Sequence, residues 1–394
     1  MGFPLLSSFR SKLCPFCFEY FKMSETPFRC TSPPSKCAPD IDPVLSKVWQ
    51  MNVPVGKVIS TGGSLRSEVR CPDCLLTSTK RLCPHCHMEL PQSIGEFKNY
   101  IFSIIGAKAA GKSHYLAVLI DHFRNTIGPE TDILLSPAND HTINRYKRDF
   151  FDPVYVNKQP IVATQSGLIN TSVRMPLIYT LLFSGRGMTG GTKITHGVTL
   201  VFFDTAGEDM DSQDVLATVN KYIYRSDGIV LLLDPLQLNG VRDKLPPTTG
   251  LPPINTETST IIARTANLIR EGRKYSQTKQ IDTPLAVAFS KIDALEPILD
   301  DNSLLLSDSN HLDGFDVGDF EAVNDEIRSL LAQWDGQPIL QQVSTFFKKS
   351  GFFGVSALGC NPHKDNRIPK VIPNRVADPF LWLLHNHGLF KKAI

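Results

Sequence analysis

The residues best suited to chemistry lie in a glycine-rich segment about a quarter of the way along the chain. Gly106-Ala-Lys-Ala-Ala-Gly-Lys112-Ser113 fits the pattern GxxxxGK[ST] and lies between an apolar run and an amphipathic stretch. In such a loop, backbone N–H groups surround phosphate oxygens, helped by the positive end of the following helix. Lys112 would reach the β and γ phosphates, and the Ser113 hydroxyl would bind Mg²⁺. The alternative, a chance glycine-rich turn, is disfavoured by this context. The predicted phosphate-binding residues are Gly106, Ala107, Lys108, Ala109, Ala110, Gly111, Lys112, Ser113 and His114.

A second motif, Val201-Phe-Phe-Asp204-Thr-Ala-Gly207-Glu208, ends an apolar run with an aspartate and places a glycine three residues later. Asp204 would hold Mg²⁺ through water, while the Gly207 N–H would contact the γ phosphate and act as a hinge. The alternative is a strand that ends in an ordinary turn. Following a P-loop, the motif favours a nucleotide site.

A third motif bears on the choice of base. Ala288-Phe-Ser290-Lys291-Ile-Asp293 resembles the [NT]KxD box of guanine-nucleotide proteins, with serine in place of asparagine or threonine. A carboxylate at Asp293 can accept from both N1–H and N2–H₂ of guanine, and adenine offers no such pair of donors. A solvated Lys-x-Asp pair is the alternative. After the last predicted strand, a Ser-Ala-Leu segment resembles the loop that supports the guanine ring. The predicted base-contacting residues are Ser290, Lys291, Asp293, Ser356, Ala357 and Leu358.

Hydrolysis depends on two further positions. The Mg²⁺-binding threonine of the first mobile segment should precede Met175, and Thr164 is the preferred candidate, with Thr171 as the alternative. Where a glutamine usually orients the attacking water, this chain has Glu208, which cannot donate a hydrogen bond when ionised. Slow or partner-dependent turnover follows. The predicted catalytic residues are Lys112, Thr164 and Glu208, and the predicted Mg²⁺ ligands are Ser113, Thr164 and Asp204.

Eight of the nine cysteines precede Phe97 and are spaced as metal ligands. In sequence order they form the quartets Cys14, Cys17, Cys30, Cys37 and Cys71, Cys74, Cys83, Cys86. The tight CPxC turns direct pairs of thiolates to one centre, so two structural Zn²⁺ sites are predicted. Interleaved pairing of the quartets stays open. His85 and His87 are alternative ligands, and Cys360 is predicted to be a buried thiol.

Regular elements that can position these motifs begin at about residue 99. Apolar strand-like runs alternate with amphipathic helices, which predicts an α/β P-loop domain with a mainly parallel sheet over residues 99–394, with inserts near 130–160 and 236–257. Residues 1–95 form a separate double zinc-ribbon head. The predicted strands are Tyr100–Ile105, Pro176–Ser184, Val198–Phe203, Gly228–Leu233, Leu285–Phe289 and Phe352–Val355. The predicted helices are Ser113–Thr126, one through Val215–Ile223, Thr258–Gly272, Asp319–Trp334, Ile339–Phe347 and one from Asp378.

Composition limits the classes of partner. The formal net charge of +2 gives no support to a polyanion-binding protein. The longest apolar runs are far shorter than the roughly 20 residues of a membrane span, and Met1–Leu6 lacks the zones of a signal peptide. We therefore expect a cytosolic protein. With its thiolates and zinc ions counted, the head is close to neutral, so it is expected to dock a protein rather than nucleic acid.

The P-loop, the Asp204 motif, the Lys291–Asp293 box and the Ser356 loop, in this order, resemble the Ras-like branch of translation-factor-related GTPases across roughly residues 99–394. Together with the zinc-ribbon head and the terminal Ala377-Asp-Pro-Phe-Leu-Trp-Leu-Leu segment, the chain resembles the bacterial double-GTPase family of conflict and defence gene clusters. That resemblance implies a regulatory GTPase that works beside a second GTPase or an effector.

The sequence thus predicts a GTP-binding and GTP-hydrolysing switch that uses GTP or GDP, Mg²⁺ and two Zn²⁺ ions. One alternative is a GTP-binding scaffold with little hydrolysis, whose zinc ribbons dock a partner. The other is a zinc-ribbon nucleic-acid binder, for which a salt-sensitive affinity would be diagnostic.

Overall fold

A computed structural model describes residues 11–161, 175–186, 192–202, 220–247, 250–254, 257–309, 311, 314–363 and 365–391. At its centre is a seven-stranded mixed sheet with helices on both faces. The strands are β1 (Lys98–Gly106), β2 (Ile133–Pro137), β3 (Leu177–Arg186), β4 (Thr192–Phe202), β5 (Gly228–Leu233), β6 (Leu285–Phe289) and β7 (Ser350–Gly354).

The strand order is β2-β3-β4-β1-β5-β6-β7. β4, β1, β5, β6 and β7 run parallel to one another, whereas β3 is antiparallel to both of its neighbours. β5 and β6 are buried at every position, as expected for parallel strands that are covered on both faces. The fold is therefore α/β with a mainly parallel sheet, as the sequence predicts.

Helices cover the two faces of the sheet. The longer ones are α1 (Lys112–His122), α2 (Asp140–Tyr146), α3 (Glu257–Arg273), α4 (Val317–Gln333), α5 (Gln337–Phe346) and α6 (Asp378–Asn386). Residues 220–225 are also helical. Other helical segments are Met23–Glu25, Ser93–Glu96, Phe123–Ile127, Gly128–Thr131, Lys147–Val156, Pro235–Gln237, Asn239–Arg242, Ile292–Ile298 and Leu304–Leu306.

The buried apolar residues of the α/β domain form two clusters, one on each face of the sheet. The side chains of β1 alternate between these two clusters. Phe102 and Ile104 join α1 and α6 on one face. Ile101 and Ile105 join α3, α4 and α5 on the other, because successive side chains of a strand point to opposite faces. α1 and α6 therefore pack on one face of the sheet, and α3, α4 and α5 pack on the other.

The insert predicted near residues 130–160 has a regular structure. Ile133–Pro137 pairs antiparallel with β3 and extends the sheet by an edge strand that the sequence analysis did not predict. α2 and the following Lys147–Val156 segment pack beside it, with the Tyr146 hydroxyl donating to the Ala117 carbonyl of α1 at 2.9 Å.

The cysteine-rich segment contains two-residue strands paired in four small ladders and one helix, Pro43–Trp49. Asp42 caps that helix, since its carboxylate accepts from the N–H groups of Val44 and Leu45. The same carboxylate pairs with Arg29 at 3.0 Å and with His87 Nδ1 at 2.9 Å. These partners lower the pKa of Asp42, against the raising effect of its burial. In the described part of the chain, no helix is both long and apolar enough to cross a bilayer.

Candidate functional site

The glycine-rich loop joins β1 to α1. β1 ends at Gly106 and α1 begins at Lys112, and Ala109 and Gly111 have positive φ angles of 62° and 85°. A Cβ on Gly106 would lie 2.5 Å from the carbonyl oxygen of Leu232, on the neighbouring strand β5, so only glycine fits there. The backbone at the start of the loop therefore passes close to β5 before α1 begins.

Lys112 folds back over this loop. Its Nζ donates to the carbonyl oxygens of Gly106 at 2.9 Å and Ala107 at 3.1 Å. The ammonium group is therefore held above the loop, beside the N-terminus of α1, where backbone N–H groups favour an anion. Lys108 is exposed on the same loop, and Ser113 is half-buried in the first turn of α1.

His114 fixes the segment that leaves this region. Its Nε2 accepts from the Ile161 N–H at 2.9 Å, so the proton of the neutral ring is on Nδ1. Burial, and then the nearby charge of Lys291, lowers the pKa of His114 to about 4.

The Ser290–Asp293 loop is anchored to β5. Ser290 donates to the Leu233 carbonyl through its N–H at 2.9 Å and its hydroxyl at 3.2 Å. Lys291, with a φ of 57°, pairs through Nζ with Asp234 Oδ2 at 2.6 Å. Asp234 is 5% exposed and also caps the Pro235–Gln237 turn.

Asp293 faces the loop after β7. The Ser356 hydroxyl donates to Asp293 Oδ1 and accepts from the Gly359 N–H at 3.0 Å. Ser356 itself is fixed by two backbone hydrogen bonds with Asn374, at 3.0 and 2.9 Å. Ala357 and Leu358 are half-buried beside it. The two loops thus present one carboxylate, oriented by a fully bonded serine.

Strand register places these loops at one edge of the sheet. Gly106 is paired with Leu232, Leu233 with Phe289, and Phe289 with Gly354. Since neighbouring strands are about 4.8 Å apart, the ends of β1 and β6 lie roughly 10 Å from each other. Lys112 and Asp293 therefore share the carboxyl edge of the sheet, the usual ligand crevice of open α/β folds.

Several predicted residues fall outside the described part of the chain. These are Thr164, its alternative Thr171, Asp204, Gly207 and Glu208. β4, which directly precedes residues 203–219, is adjacent to β1.

The eight N-terminal cysteines form two groups of four, and within each group all sulfur atoms lie within 4.8 Å of one another. The first cysteine cluster is Cys14, Cys17, Cys83 and Cys86, and the second cysteine cluster is Cys30, Cys37, Cys71 and Cys74. The quartets in sequence order are therefore wrong. The interleaved pairing is the one that forms, in the sense that each cluster takes one pair from each quartet, and the second cluster is nested inside the first along the chain.

The sulfur spacing suits zinc. Four sulfur pairs, two in each cluster, are 3.7 to 3.9 Å apart. A tetrahedron with Zn–S bonds of about 2.3 Å has S···S edges of about 3.8 Å. Ser32 Oγ lies 3.0 Å from Cys74 Sγ, and the Phe16 N–H donates to Cys14 Sγ at 3.4 Å. The donor sets fit structural Zn²⁺ and leave no coordination position for a substrate.

Three of the cysteine pairs share one turn. In each CPxC knuckle the residue after the second cysteine is left-handed, and its N–H donates to the carbonyl of the first. These residues are Phe18, Leu75 and His87. Cys30 and Cys37 lie instead on a looser loop. His87 bonds Asp42, and His85 Nε2 lies 3.0 Å from the Tyr20 carbonyl, so neither histidine joins a cluster. Cys360 is half-buried.

Asp234 and Asn374 are the residues of this edge that the sequence analysis missed. Asp234 directly follows the apolar run of β5, just as Asp204 follows the apolar run of β4. This signal is visible in the sequence and could have identified Asp234. Asn374 contributes only backbone groups to Ser356, so its side-chain type carried no signal.

No protein-family model matches the chain. A curated relative, the “Putative ESX-1 scaffolding and assembly protein SaeC” of Mycolicibacterium smegmatis, is 28% identical over 330 residues, covering 78% of this chain and 80% of that protein.

Among solved structures, the S. cerevisiae Ski7 GTPase-like domain, bound to GDP and inorganic phosphate, is 15% identical with a TM-score of 0.30. Methanosarcina barkeri Roco2 RocCORdC, bound to GDP, is 13% identical with a TM-score of 0.27. Each match covers 74% of this chain and 50% of the other, so the chain spans half the length of these two. The signal recognition particle receptor SRb-GTP/SRX complex from Chaetomium thermophilum is 12% identical with a TM-score of 0.30, over 67% of this chain and 94% of that one.

These TM-scores are low. The fold assignment therefore rests on the strand order of the sheet, the loop after β1 and the geometry of the cysteine clusters. The chain has an α/β fold with a mainly parallel sheet and a P-loop-type turn between β1 and α1, preceded by cysteine clusters compatible with zinc ribbons.

Proposed function

We propose that the protein is a GTP-binding and GTP-hydrolysing molecular switch. One observation carries the proposal: the phosphate-type loop of Lys112 follows β1 and the carboxylate of Asp293 follows β6, two parallel strands with only β5 between them, so both lie at one edge of the sheet. A single nucleotide of ordinary size can span that separation, with its phosphates at α1 and its base between the loops after β6 and β7.

In this proposal Lys112 exchanges its bonds to the Gly106 and Ala107 carbonyls for phosphate oxygens. Ser113, with Asp204 and Thr164, would hold Mg²⁺, which when bound neutralises charge on the phosphates. Gly207 would contact the γ phosphate. Glu208 in place of a water-orienting glutamine makes hydrolysis slow or dependent on a partner.

Asp293 would select guanine. One of its oxygens already accepts from Ser356, and a carboxylate offers about four lone-pair sites, so it can accept two more donors. Guanine presents N1–H and N2–H₂ to those sites. The pairing of Lys291 with Asp234 keeps this loop in place before the base arrives.

The cysteine clusters would hold two structural Zn²⁺ ions in the reducing cytosol. The zinc-binding segment would then dock a protein partner, either an effector or a second GTPase. The resemblance to the double-GTPase family adds the proposal that the switch serves a bacterial conflict or defence system.

A GTP-dependent scaffold is the second candidate. The M. smegmatis relative bears the name of a scaffolding and assembly protein, and its alignment covers most of both chains. In that case bound nucleotide would fix an assembly, and hydrolysis would contribute little.

Calorimetric titration of the full chain with GTP, GDP and ATP, with and without Mg²⁺, tests nucleotide binding. We expect GTP and GDP to bind and ATP to fail, and equal binding of ATP would refute the base assignment. Phosphate release in a single turnover then separates the two candidates. No release above background, with the partner present, would favour the scaffold.

A further inference from the structure

The first cysteine cluster is seated on the α/β domain. Phe18, which follows Cys17 in its knuckle, is 0% exposed, and its ring centroid lies 5.5 Å from that of Tyr222. Phe18 belongs to the hydrophobic cluster that contains Ile105 at the end of β1 and Ala107 of the phosphate loop. The knuckle is thus part of the core beneath the nucleotide edge.

Polar contacts reinforce this seating. Glu19 pairs with Lys221 at 2.6 Å, and the guanidinium of Arg225 lies 4.7 Å from the centroid of the Tyr20 ring. The Asn99 side chain of β1 donates to the Leu13 carbonyl at 3.3 Å. Contacts therefore reach both β1 and the 220–225 helix.

A second side of the cluster packs on β3. Cys14, Cys83 and Cys86 share a hydrophobic cluster with Met175 and with Ile178 of β3. Ser93 Oγ lies 3.1 Å from Thr199 Oγ1 of β4 and accepts from Thr180 Oγ1 of β3 at 3.2 Å. The first cysteine cluster is therefore enclosed by the sheet domain from two directions.

The second cysteine cluster has a different setting. In the described residues, the buried members of its hydrophobic cluster all fall between Phe28 and Cys71. Leu75 occupies the same position in the Cys71–Cys74 knuckle that Phe18 occupies in the Cys14–Cys17 knuckle, yet it is 70% exposed. The same turn is buried against the α/β domain in one cluster and open in the other.

A contiguous path connects the first cluster to the phosphate loop. Phe18 contacts Tyr222, whose hydroxyl donates to the Phe102 carbonyl of β1 at 2.8 Å. β1 runs directly into Gly106 and the loop. Ordering at one end of such a packed path can stabilise the other end, and the effect is reciprocal.

We propose that zinc at the first cysteine cluster regulates nucleotide binding at the phosphate loop, whereas zinc at the second does not. The inference rests on the proposed nucleotide site. Bound guanine nucleotide should raise the zinc affinity of the first cysteine cluster and thereby slow zinc release. Loss of that zinc should weaken nucleotide binding by the same factor as the gain in zinc affinity.

The test uses the full chain loaded with two zinc ions and follows zinc transfer to a chromophoric chelator, with and without saturating GDP and Mg²⁺. Cys37→Ser leaves only the first cluster intact, and Cys17→Ser leaves only the second. GDP should slow transfer at least about fivefold from Cys37→Ser and leave the rate from Cys17→Ser unchanged. The proposal would be overturned if GDP slowed the transfer of both zinc ions equally. It would also be overturned if GDP bound to the protein and slowed the transfer of neither.

Phe18→Ala and Leu75→Ala form a matched pair that keeps every ligand. With zinc content still two per chain, Phe18→Ala should abolish the GDP effect on zinc transfer, and Leu75→Ala should retain it. Identical behaviour of the two variants would contradict the coupling even if Cys17→Ser failed to fold. A wild-type chain that does not bind GDP in direct titration would instead refute the proposed function.

Discussion

Replacing Asp293 by asparagine should change which purine the protein binds. In the structure one carboxylate oxygen of Asp293 accepts from the Ser356 hydroxyl, and the carboxylate has further lone-pair sites that can accept from guanine. In Asp293→Asn, the amide carbonyl accepts one guanine donor, and the amide N–H₂ opposes the other.

The size of the effect follows from those two losses. A hydrogen bond to a charged group contributes about 1.5–3 kcal/mol, and a buried donor left unsatisfied costs about 1–3 kcal/mol more. The sum corresponds to a loss of GDP affinity of roughly 10²- to 10⁴-fold. Xanthine carries a carbonyl where guanine has N2–H₂, so it accepts from the asparagine amide and should bind more tightly than to the wild type.

Titration of Asp293→Asn with GDP and with xanthosine diphosphate measures both changes. Asp300→Asn is the matched control, because Asp300 is exposed just beyond the Ile292–Ile298 segment and loses the same charge. GDP affinity unchanged in Asp293→Asn, with no gain for the xanthosine nucleotide, would show that this carboxylate does not read the base.

Three other outcomes are expected. Lys112→Ala should abolish nucleotide binding in calorimetry without lowering the melting temperature, and retained GDP affinity would remove Lys112 from the site. Gly106→Ala should cost about 1–3 kcal/mol of stability through its clash with the Leu232 carbonyl, whereas Gly250→Ala, with open space around its Cβ, should not. The depressed pKa of His114, about 4 against 6.5, implies stability that is fully present above pH 6.5 and is lost as pH falls toward 4. Urea unfolding should show about 2 kcal/mol less stability from this group at pH 5 than at pH 7.5, and His114→Gln should remove that loss. If His114→Gln kept the same pH dependence of stability as the wild type, the assignment of this loss to His114 would be refuted.

Local patterns allowed most of the α/β domain to be predicted. The apolar runs of β5 and β6 match the predicted bounds, because buried parallel strands are continuous hydrophobic segments. α1 begins one residue before its predicted start at Ser113, since the glycine pattern of the loop marks the turn. The edge strand β2 was missed because Ile133–Pro137 ends in proline and lies in a segment that resembled an insert.

The cysteine pairing could not be predicted from spacing. All eight ligands are chemically equivalent, so their grouping depends on contacts between segments 34 to 72 residues apart. Burial of Phe18 against Tyr222 is one such contact, and it has no local signature. The anchoring of Lys291 by Asp234 is likewise set by the register of β5 against β6.

The interleaved cysteine pairing has a consequence for biosynthesis. The chain emerges from the ribosome N-terminus first, so Cys14, Cys17, Cys30 and Cys37 are available together before any native partner from residues 71–86. Those four thiols can trap a metal ion in a grouping that the finished protein does not contain. The inner grouping then completes at Cys74 and the outer one at Cys86, which nests one closed loop inside the other. With zinc bound at both clusters as proposed, metal delivery after Cys86 is available would fill the native groupings directly, and an ion bound earlier by those four thiols would have to be exchanged.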